Sequence, residues 1–513
     1  MSEPGGHWSP RYRLVLITIM LLVVLAVTTV STLLVADVDE PWTAGSVARA
    51  VLVAVLALFS GICVNFLPAA VLRVWRQQGV TDLPLRAVIG KVVEGLKRPL
   101  KQAGIVLVVA AIVAVGLVLR PPEVGLEPGR LVIMTAFNES ADDPRTILIK
   151  QWNQTHPENP VHIDFASGEP DQQNARMVND AKPGGPGLAD VYVLDVVWMA
   201  QFAEFGYIRE FERSASAELG DFLPKVLGTC AYREKLWGLP LNTDAGMLYY
   251  RTDVAGAIRP KTWKDYYGPP AAAAAAAAVP GVEAANAAQL DDEEILTITA
   301  LEAMWAEGGE AFGKDGQVAL NEDGTAVEFG AGDLAGIRNL AAAYHDPGIV
   351  LTGEARSTTD DDAVRTFIDG RTLYMRNWPV ARDRLIGEVE FEVAAAPSPS
   401  VLGGQNLAVS ASTDKPRAAR ALIEFLTSPS SQLILSEIGG FAPTRQSAYD
   451  NARRDDIQEL RTAVDDARLR PITPHYVEFS RVFREGIAEA LDTGQSAELP
   501  PDLRSALAKI LNR

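Results

Sequence analysis

Apolar and polar positions divide the chain into two unlike parts. Residues 1–120 are dominated by long apolar runs, whereas residues 121–513 intersperse apolar and polar positions as soluble domains do. The runs at 14–36, 47–72 and 103–119 have about the length that crosses a bilayer core of ~30 Å. We therefore predict a membrane module of three transmembrane helices at 1–120, followed by a Pro/Gly-rich linker at 121–130.

The charges of the loops predict the orientation of this module. Seven Lys and Arg residues lie between the second and third runs, whereas residues 37–41 are acidic. Positive loops stay in the cytoplasm. This predicts a multi-pass protein of the cell membrane with a cytoplasmic N-terminus, and with the residues after about 120 outside the cell. The basic amphipathic segment 83–100 fits either a helix lying on the lipid bilayer or a docking helix for a partner.

After the linker, the pattern changes to short apolar strands that alternate with helices. Apolar strands are predicted at 131–136, 161–165 and 191–194, with helices beginning at Asp143-Pro144 and covering 174–181. This β-α-β-α-β order is typical of a parallel sheet. Ligands bind at the carboxyl ends of such strands, which places Asp195 at a candidate site. The following helix has an apolar face and ends near Gly206; that face comprises Val197, Met199, Ala200, Phe202, Ala203 and Phe205.

Charge and cysteine content narrow the possible functions. The first 120 residues carry 11 Lys/Arg against 6 Asp/Glu, and the remainder carries 36 against 59. So acidic a body argues against nucleic acid as a partner, because phosphate binding needs clustered basic residues. Cys63 and Cys230 fall in different environments, and no metal-ligand spacing, P-loop or nucleophile elbow is present. We predict no cofactor, no metal site and no enzyme activity.

Several motifs follow one another in a recognisable order. They are D-V-Y-V-L-D-V-V-W at 190–198, the crossover Y-R-E-K-L-W-G-L-P-L-N-T-D-A-G-M-L-Y-Y-R-T-D at 232–253, R-N-W-P at 376–379, G-G-Q-N-L-A-V-S at 403–410, G-G-F-A-P-T-R at 439–445 and R-P-I-T-P-H-Y at 470–476. Together they resemble the family 1 extracellular solute-binding proteins, the maltose/trehalose-binding-like receptors of carbohydrate ABC importers. The resemblance implies an α/β two-lobe periplasmic-binding-protein fold (type II, Venus-flytrap) over 131–513, preceded here by transmembrane helices.

The resemblance also implies a ligand-binding set. Planar polar groups and aromatic faces are what an uncharged sugar requires, and the implied set is Glu139, Asp195, Asn242, Asp244, Trp378, Gly403, Gly404 and Arg445. Simpler interpretations stay open. Glu139 and Asp195 can be helix caps, the two glycines only a turn, and Arg445 part of a salt bridge within one lobe. Glu293 stands where the family usually has an aromatic residue.

Two functional hypotheses follow. The main one is a membrane-anchored substrate-binding protein that captures an oligosaccharide or similar sugar outside the cell and delivers it to ABC permease subunits. The alternative is a ligand sensor or interaction scaffold, with a partly degenerate binding fold coupled to the membrane module. The eight alanines at 271–278, which we interpret as a shortened helix, fit this alternative. A glycan-acting enzyme finds little support in the residues.

Overall fold

The computed structural model describes residues 125–136, 143–212, 218–254, 259–267, 279–351, 355–397, 399–494 and 498–513. The chain divides into two compact units, Met1–Gly125 and Leu126–Arg513, and the second is described below. The predicted transmembrane spans, segment 83–100 and the alanine tract lie outside the described residues, so they stay predictions. Within the described ranges, no helix is long and apolar enough to cross a membrane.

The strands of the described ranges form two main sheets and one small hairpin. In chain order they are β1 (Leu131–Thr135), β2 (Val161–Phe165), β3 (Val191–Asp195), β4 (Ala231–Tyr232), β5 (Lys235–Leu236), β6 (Leu239–Ala245), β7 (Met247–Arg251), β8 (Ala284–Ala287), β9 (Thr372–Asn377), β10 (Phe391–Ala395) and β11 (Leu402–Val409).

The helices cover both sheets. In chain order they are α1 (Pro144–Thr155), α2 (Pro170–Ala181), α3 (Met199–Glu204), α4 (Pro224–Gly228), α5 (Trp263–Tyr267), α6 (Glu294–Ala306), α7 (Ala331–Tyr344), α8 (Asp360–Ile368), α9 (Ala381–Leu385), α10 (Pro416–Leu426), α11 (Pro429–Gly439), α12 (Gln446–Asn451), α13 (Ile457–Asp466), α14 (Tyr476–Asp492) and α15 (Leu503–Leu511).

The first lobe is built on the sheet β2-β1-β3-β11-β6. Strands β1, β2 and β3 are parallel, as the alternating pattern predicts, and β11 runs antiparallel to β3 and β6. Both faces of β3 are buried, which explains its continuous run of apolar residues. Helix α1 begins where predicted, because Asp143 accepts a hydrogen bond from the Arg145 backbone N–H at 2.8 Å and Pro144 suits the first helical position.

The second lobe is built on the sheet β10-β7-β9-β8. Strand β7 pairs antiparallel with β10 and β9, and β8 pairs parallel with β9. Helices α6, α7, α14 and α15 pack against one another in a separate apolar core. Helix α6 is buried almost all round, from Ile295 to Trp305, which is why its apolar residues do not form a single stripe.

Among the described residues, three connections lie where the lobes meet. The chain passes from β6 to β7 through Gly246, from β10 to β11 through residues 396–401, and from α13 to α14 through residues 467–475. They are bonded to one another: Ala396 N–H donates to the Gly246 carbonyl at 3.0 Å, and Arg468 N–H donates to the Ser400 carbonyl at 2.7 Å. The first crossing lies within the predicted crossover segment 232–253.

Two sequence predictions need correction around β3. The helix after it starts as a 3-10 turn over Val196–Trp198, and the α-helical part is shorter than predicted. Phe205, placed on the buried face, is 46% exposed. Its helix has already ended, since Phe205 is the C-cap and Gly206 takes φ +69°. The helix at 174–181 begins four residues earlier, at Pro170.

We predict that Gly404→Ala destabilises the protein by about 2 kcal/mol or more. Gly404 has φ +114°, and a Cβ there would lie 2.5 Å from the Asn242 carbonyl oxygen, which belongs to the backbone of the neighbouring strand. Thermal unfolding of the full-length protein measures the effect. Gly220→Ala is the matched control, because a Cβ there meets nothing within 4 Å. Equal melting temperatures for the two variants would contradict the prediction.

Candidate functional site

A cleft with a cavity volume of about 290 Å³ opens where the carboxyl ends of β3 and β6 face the second lobe. The first lobe contributes Arg145, Asp195, Asn242, Asp244, Gly403 and Gly404. The second contributes Asp291, Glu293, Glu294, Asp360 and Trp378, and the third crossing contributes Arg470. The cleft therefore lies where α/β sheets bind ligands.

The floor of the cleft is a cluster of hydrogen-bond acceptors on β6 and β11. Asn242 pairs with Gln405 and Asp244 pairs with Gly403 across the two strands. Asn242 Nδ2 donates to Asp244 Oδ2 at 3.1 Å, which fixes the orientation of the amide. Three buried oxygens then have no hydrogen-bond partner among the described residues: Asn242 Oδ1, Asp244 Oδ1 and Gln405 Oε1. Buried acceptors are normally satisfied, so water or a ligand can supply donors to these three.

The environment of Asp244 favours its protonated form. Burial is the largest cause and the nearby carboxylate of Asp195 is the second, and together they raise the pKa of Asp244 to about 7. The charges of Arg145 and Arg376 and the bond from Asn242 oppose this rise without cancelling it.

Arg470 joins the two lobes at the back of the cleft. Its Nη2 donates to Asp195 Oδ1 at 2.8 Å, and its Nη1 donates to Glu294 Oε1 at 2.7 Å. Its side chain is only 2% exposed. Burial disfavours the guanidinium charge, but the attraction of Asp195 and Glu294 holds the pKa of Arg470 above its usual value. Glu294 also accepts bonds from Tyr476 Oη and Ser480 Oγ, both at 2.6 Å.

Trp378 is held in a fixed orientation on the second-lobe side. Its Nε1–H donates to Asp360 Oδ2 at 3.0 Å, and Asp360 Oδ1 accepts from Gln289 at 2.7 Å. The guanidinium carbon of Arg376 lies 4.1 Å from the centre of the indole ring. Arg376 is itself buried and paired with Glu302 at 2.8 Å. The half-buried ring therefore enters the cleft as a positioned apolar surface.

At the rim of the cleft, a second arginine spans the lobes. Arg484 on α14 donates through Nη2 to Asp171 on α2 at 2.7 Å. Its Nε lies 3.4 Å from Asp292, which belongs to its own lobe. Like charges meet here too: burial is the main cause that raises the pKa of Glu293, and the carboxylates of Glu169 and Asp171 add to it. Arg484 thus offsets acidic groups of both lobes.

The structure brings most of the implied ligand set together and places one member elsewhere. Asp195, Asn242, Asp244, Trp378, Gly403 and Gly404 all line the cleft. Glu139 lies outside the described residues. Asp195 is also a cap, since it accepts from the Val197 backbone N–H at 3.1 Å. No metal-binding group of His, Cys, Asp and Glu occurs in the ranges that the structure describes.

Arg445 requires a correction. It does not line the cleft. Its guanidinium is 2% exposed, lies 3.3 Å from Asp221 and stacks 3.8 Å from the centre of the Phe222 ring. Its Nε donates to the Thr427 carbonyl at 2.5 Å. Arg445 therefore fits the alternative that the sequence left open, a salt bridge within one lobe. Helix α12 begins directly after Arg445 and directs its side chain into the first lobe.

Sequence reasoning missed Arg470, Glu294 and Asp360. Arg470 stands in the motif R-P-I-T-P-H-Y at 470–476. The motif could therefore have indicated that an arginine of the third crossing belongs to the site. Glu294 lies in the acidic run at 291–294, which the sequence indicates only as a charged helix start. That interpretation holds for the start of α6, but the same residues also face the cleft.

Comparison with known proteins gives a consistent result. A model of the family of bacterial extracellular solute-binding proteins matches residues 148–462. A relative from Deinococcus radiodurans, named "Probable ABC transporter-binding protein", is 27% identical over 360 residues, covering 63% of this chain and 80% of the relative.

Solved structures share the fold. Maltose-bound MalE3 of T. maritima superposes with a TM-score of 0.63 at 24% identity, over 75% of this chain and 99% of that one. A solute-binding protein from Thermotoga Lettingae TMO, bound with alpha-D-tagatose, gives 0.63 at 21% identity, over 74% and 99%. The GacH receptor of Streptomyces glaucescens, known unliganded and with acarbose, gives 0.62 at 22% identity, over 75% and 99%. The predicted two-lobe fold is confirmed.

We predict that Asp244→Asn stabilises the empty protein at neutral pH by ~1–3 kcal/mol. The folded-state pKa of about 7 lies above the ordinary value. The folded protein therefore binds more protons than the unfolded chain between about pH 4 and about pH 7, and stability falls as pH rises through that window. Asparagine cannot ionise and removes this loss. Thermal unfolding at several pH values measures it.

Asp253→Asn is the control of opposite sign. A bond from Arg251 is the main cause that lowers the pKa of Asp253, so its contribution is present at neutral pH and disappears on acidification. Asp253→Asn is expected to lose a little stability at neutral pH. If both substitutions shift the melting temperature in the same direction, the assignment for Asp244 is wrong.

We further predict that Arg484→Met weakens ligand binding about three- to tenfold, because the variant loses the ion pair that joins the lobes across the rim. Arg481→Met is the matched control. Arg481 lies on the same helix, but it pairs with Glu485 within the second lobe at 2.7 Å. The loss should shrink at high salt, where the wild-type ion pair is itself screened. Equal affinity losses for both variants would argue against a role for the pair in closure.

Proposed function

The chain belongs to the family of bacterial extracellular solute-binding proteins, and we propose that it captures an oligosaccharide or similar sugar outside the cell and delivers it to an ABC importer. The observation that carries the proposal is the cleft floor: three residues with a buried, unpartnered acceptor oxygen line the same cleft as the half-buried ring of Trp378. A sugar presents an apolar C–H face and a rim of hydroxyl donors, which matches that arrangement.

Each lobe contributes different groups to the cleft, and this supports capture of the ligand by closure of the lobes around it. The acceptors of Asn242, Asp244 and Gln405 belong to the first lobe, and Trp378 belongs to the second. A ligand held between them gains contacts with both lobes only when the cleft is closed. Such differential contact is what shifts a hinged protein toward its closed form.

The ligands of the solved relatives agree with this proposal. These structures contain maltose, acarbose and alpha-D-tagatose, all of which are carbohydrates or carbohydrate analogues. The name of the Deinococcus relative includes an ABC transporter, which supports permease subunits as partners. We also propose that the three apolar runs before residue 120 anchor the binding unit to the membrane, so that capture occurs close to the importer.

One observation favours the second candidate, a ligand sensor or interaction scaffold. Glu293 lines the cleft where the family resemblance places an aromatic ring, and burial raises the pKa of its carboxyl group. Loss of an aromatic ring reduces the surface on which a sugar can stack. A protein of this second kind would keep the fold while binding sugars weakly or not at all.

The test is thermal unfolding of the full-length protein against mono- and disaccharides, maltodextrins and polyols. A ligand at 100 times its dissociation constant should add about 2.7 kcal/mol of stability. Trp378→Leu should abolish that shift, because leucine keeps an apolar side chain but removes the aromatic face. Phe205→Leu is the control, since Phe205 is exposed and lies outside the cleft. A folded protein with no response to any compound would favour the sensor or scaffold.

A further inference from the structure

The charge of the cleft is strongly one-sided. Among the described residues that line it, seven carry carboxyl groups and two carry guanidinium groups. Both guanidinium groups are already engaged by the protein. Arg145 donates to both oxygens of Asp143, at 2.6 to 3.2 Å, and Arg470 is shared between Asp195 and Glu294. A ligand therefore enters a site whose fixed positive charges are neutralised and whose negative charges are in excess.

The carboxyl groups differ in how well they are satisfied. Asp360 accepts a hydrogen bond on each oxygen, and Glu294 accepts three. Asp244 receives only the bond from Asn242, and its Oδ1 is buried without a partner. Asp244 is thus the carboxyl group in the cleft floor that most needs a donor or a positive charge.

Three of the unpartnered buried atoms in the cleft share one chemical character, whereas a fourth, Arg470 Nε, is a donor. The oxygens of Asn242, Asp244 and Gln405 are all acceptors, and they come from adjacent positions on the paired strands β6 and β11. A hydroxyl group brings one donor to such a cluster, whereas an ammonium group brings three donors and a positive charge. An anionic ligand would add a further negative charge and no donor.

We propose that the carbohydrate captured in this cleft carries a basic nitrogen, as an amino sugar does, with its ammonium group on Asp244 and the amide oxygens of Asn242 and Gln405. This inference rests on the proposed function, since it names the class of sugar that the same site takes. It explains why the cleft floor keeps a carboxyl group that is costly to ionise while the site is empty.

The ionisation of Asp244 gives the proposal a pH signature. The titratable or charged groups that face Asp244 from the packed elements are Asp195, Arg145, Arg376 and Tyr449. In the empty cleft the pKa of Asp244 is about 7, mainly because of burial. An ammonium group binds the ionised carboxylate, so its affinity should fall from about pH 7 to about pH 5.5, a range in which a primary amine stays protonated. A neutral sugar should show little of this dependence.

The experiment uses sets of sugars matched at one position. Glucose, glucosamine and N-acetylglucosamine form the first set, with the corresponding galactose and mannose series beside it. Cellobiose, the glucosamine β-1,4 dimer and its N-acetylated form make the disaccharide set. Calorimetric titration of the full-length protein should give at least about tenfold tighter binding for an amine than for its hydroxyl and acetamide counterparts, because a charge-assisted bond replaces a neutral one.

Substitution of Asp244 then tests whether this residue binds the ammonium group. Asp244→Asn keeps the shape and removes the charge, so it should erase both the preference for the amine and the pH dependence. Asp253→Asn, outside the cleft, should preserve both. Equal or tighter binding of the neutral sugars by the wild-type protein would overturn this inference and leave the proposed function standing. An amine preference that survives Asp244→Asn would overturn the assignment to Asp244. Binding of no carbohydrate would overturn both proposals.

Discussion

One buried guanidinium group organises the space between the lobes. Arg470 stands in the third crossing and is held by Asp195 of the first lobe and Glu294 of the second. A buried cation is costly unless its partners are fixed, and removing either carboxylate would leave the charge uncompensated. The triad therefore ties the side chain of Asp195 to the start of α6 across the cleft. The same triad leaves neither carboxylate free to hold a cationic ligand alone.

The cleft floor differs from this triad, because several of its buried polar atoms lack partners. Several buried polar groups of the described core have partners, as Asn406 does with Thr229 and Gln432 does with the Leu241 carbonyl. On β6 and β11 the acceptors of Asn242 and Asp244 do not. Leaving them unpaired costs stability, and binding recovers that cost when a ligand supplies donors. Stability is thus lower than it would be with paired acceptors at the cleft floor, and a ligand that supplies donors can restore it.

The sequence predicted what depends on local pattern. Strand β3 and the position of Asp195 at its end follow from a buried run and a polar stop, and the order of the motifs identified the fold. It did not predict the partners of the arginines. Arg445 and Arg470 both lie in family motifs, yet one is packed inside a lobe and the other joins two. Which carboxylate an arginine meets is decided by chain segments more than 170 residues away, as the bonds to Asp195 and Glu294 show.

The two arginines that span the lobes also affect how much a ligand can shift the protein toward a closed cleft. Arg470 and Arg484 attract carboxylates across the cleft even without a ligand, whereas the acidic groups at the rim repel one another. A ligand changes the balance only through contacts that exist in the closed form. A neutral sugar would contribute hydrogen bonds and stacking on Trp378. If the ligand carries an ammonium group, as we propose, that group would also offset the excess of negative charge that closure concentrates, and the charge of the cleft would then favour closure around such a ligand.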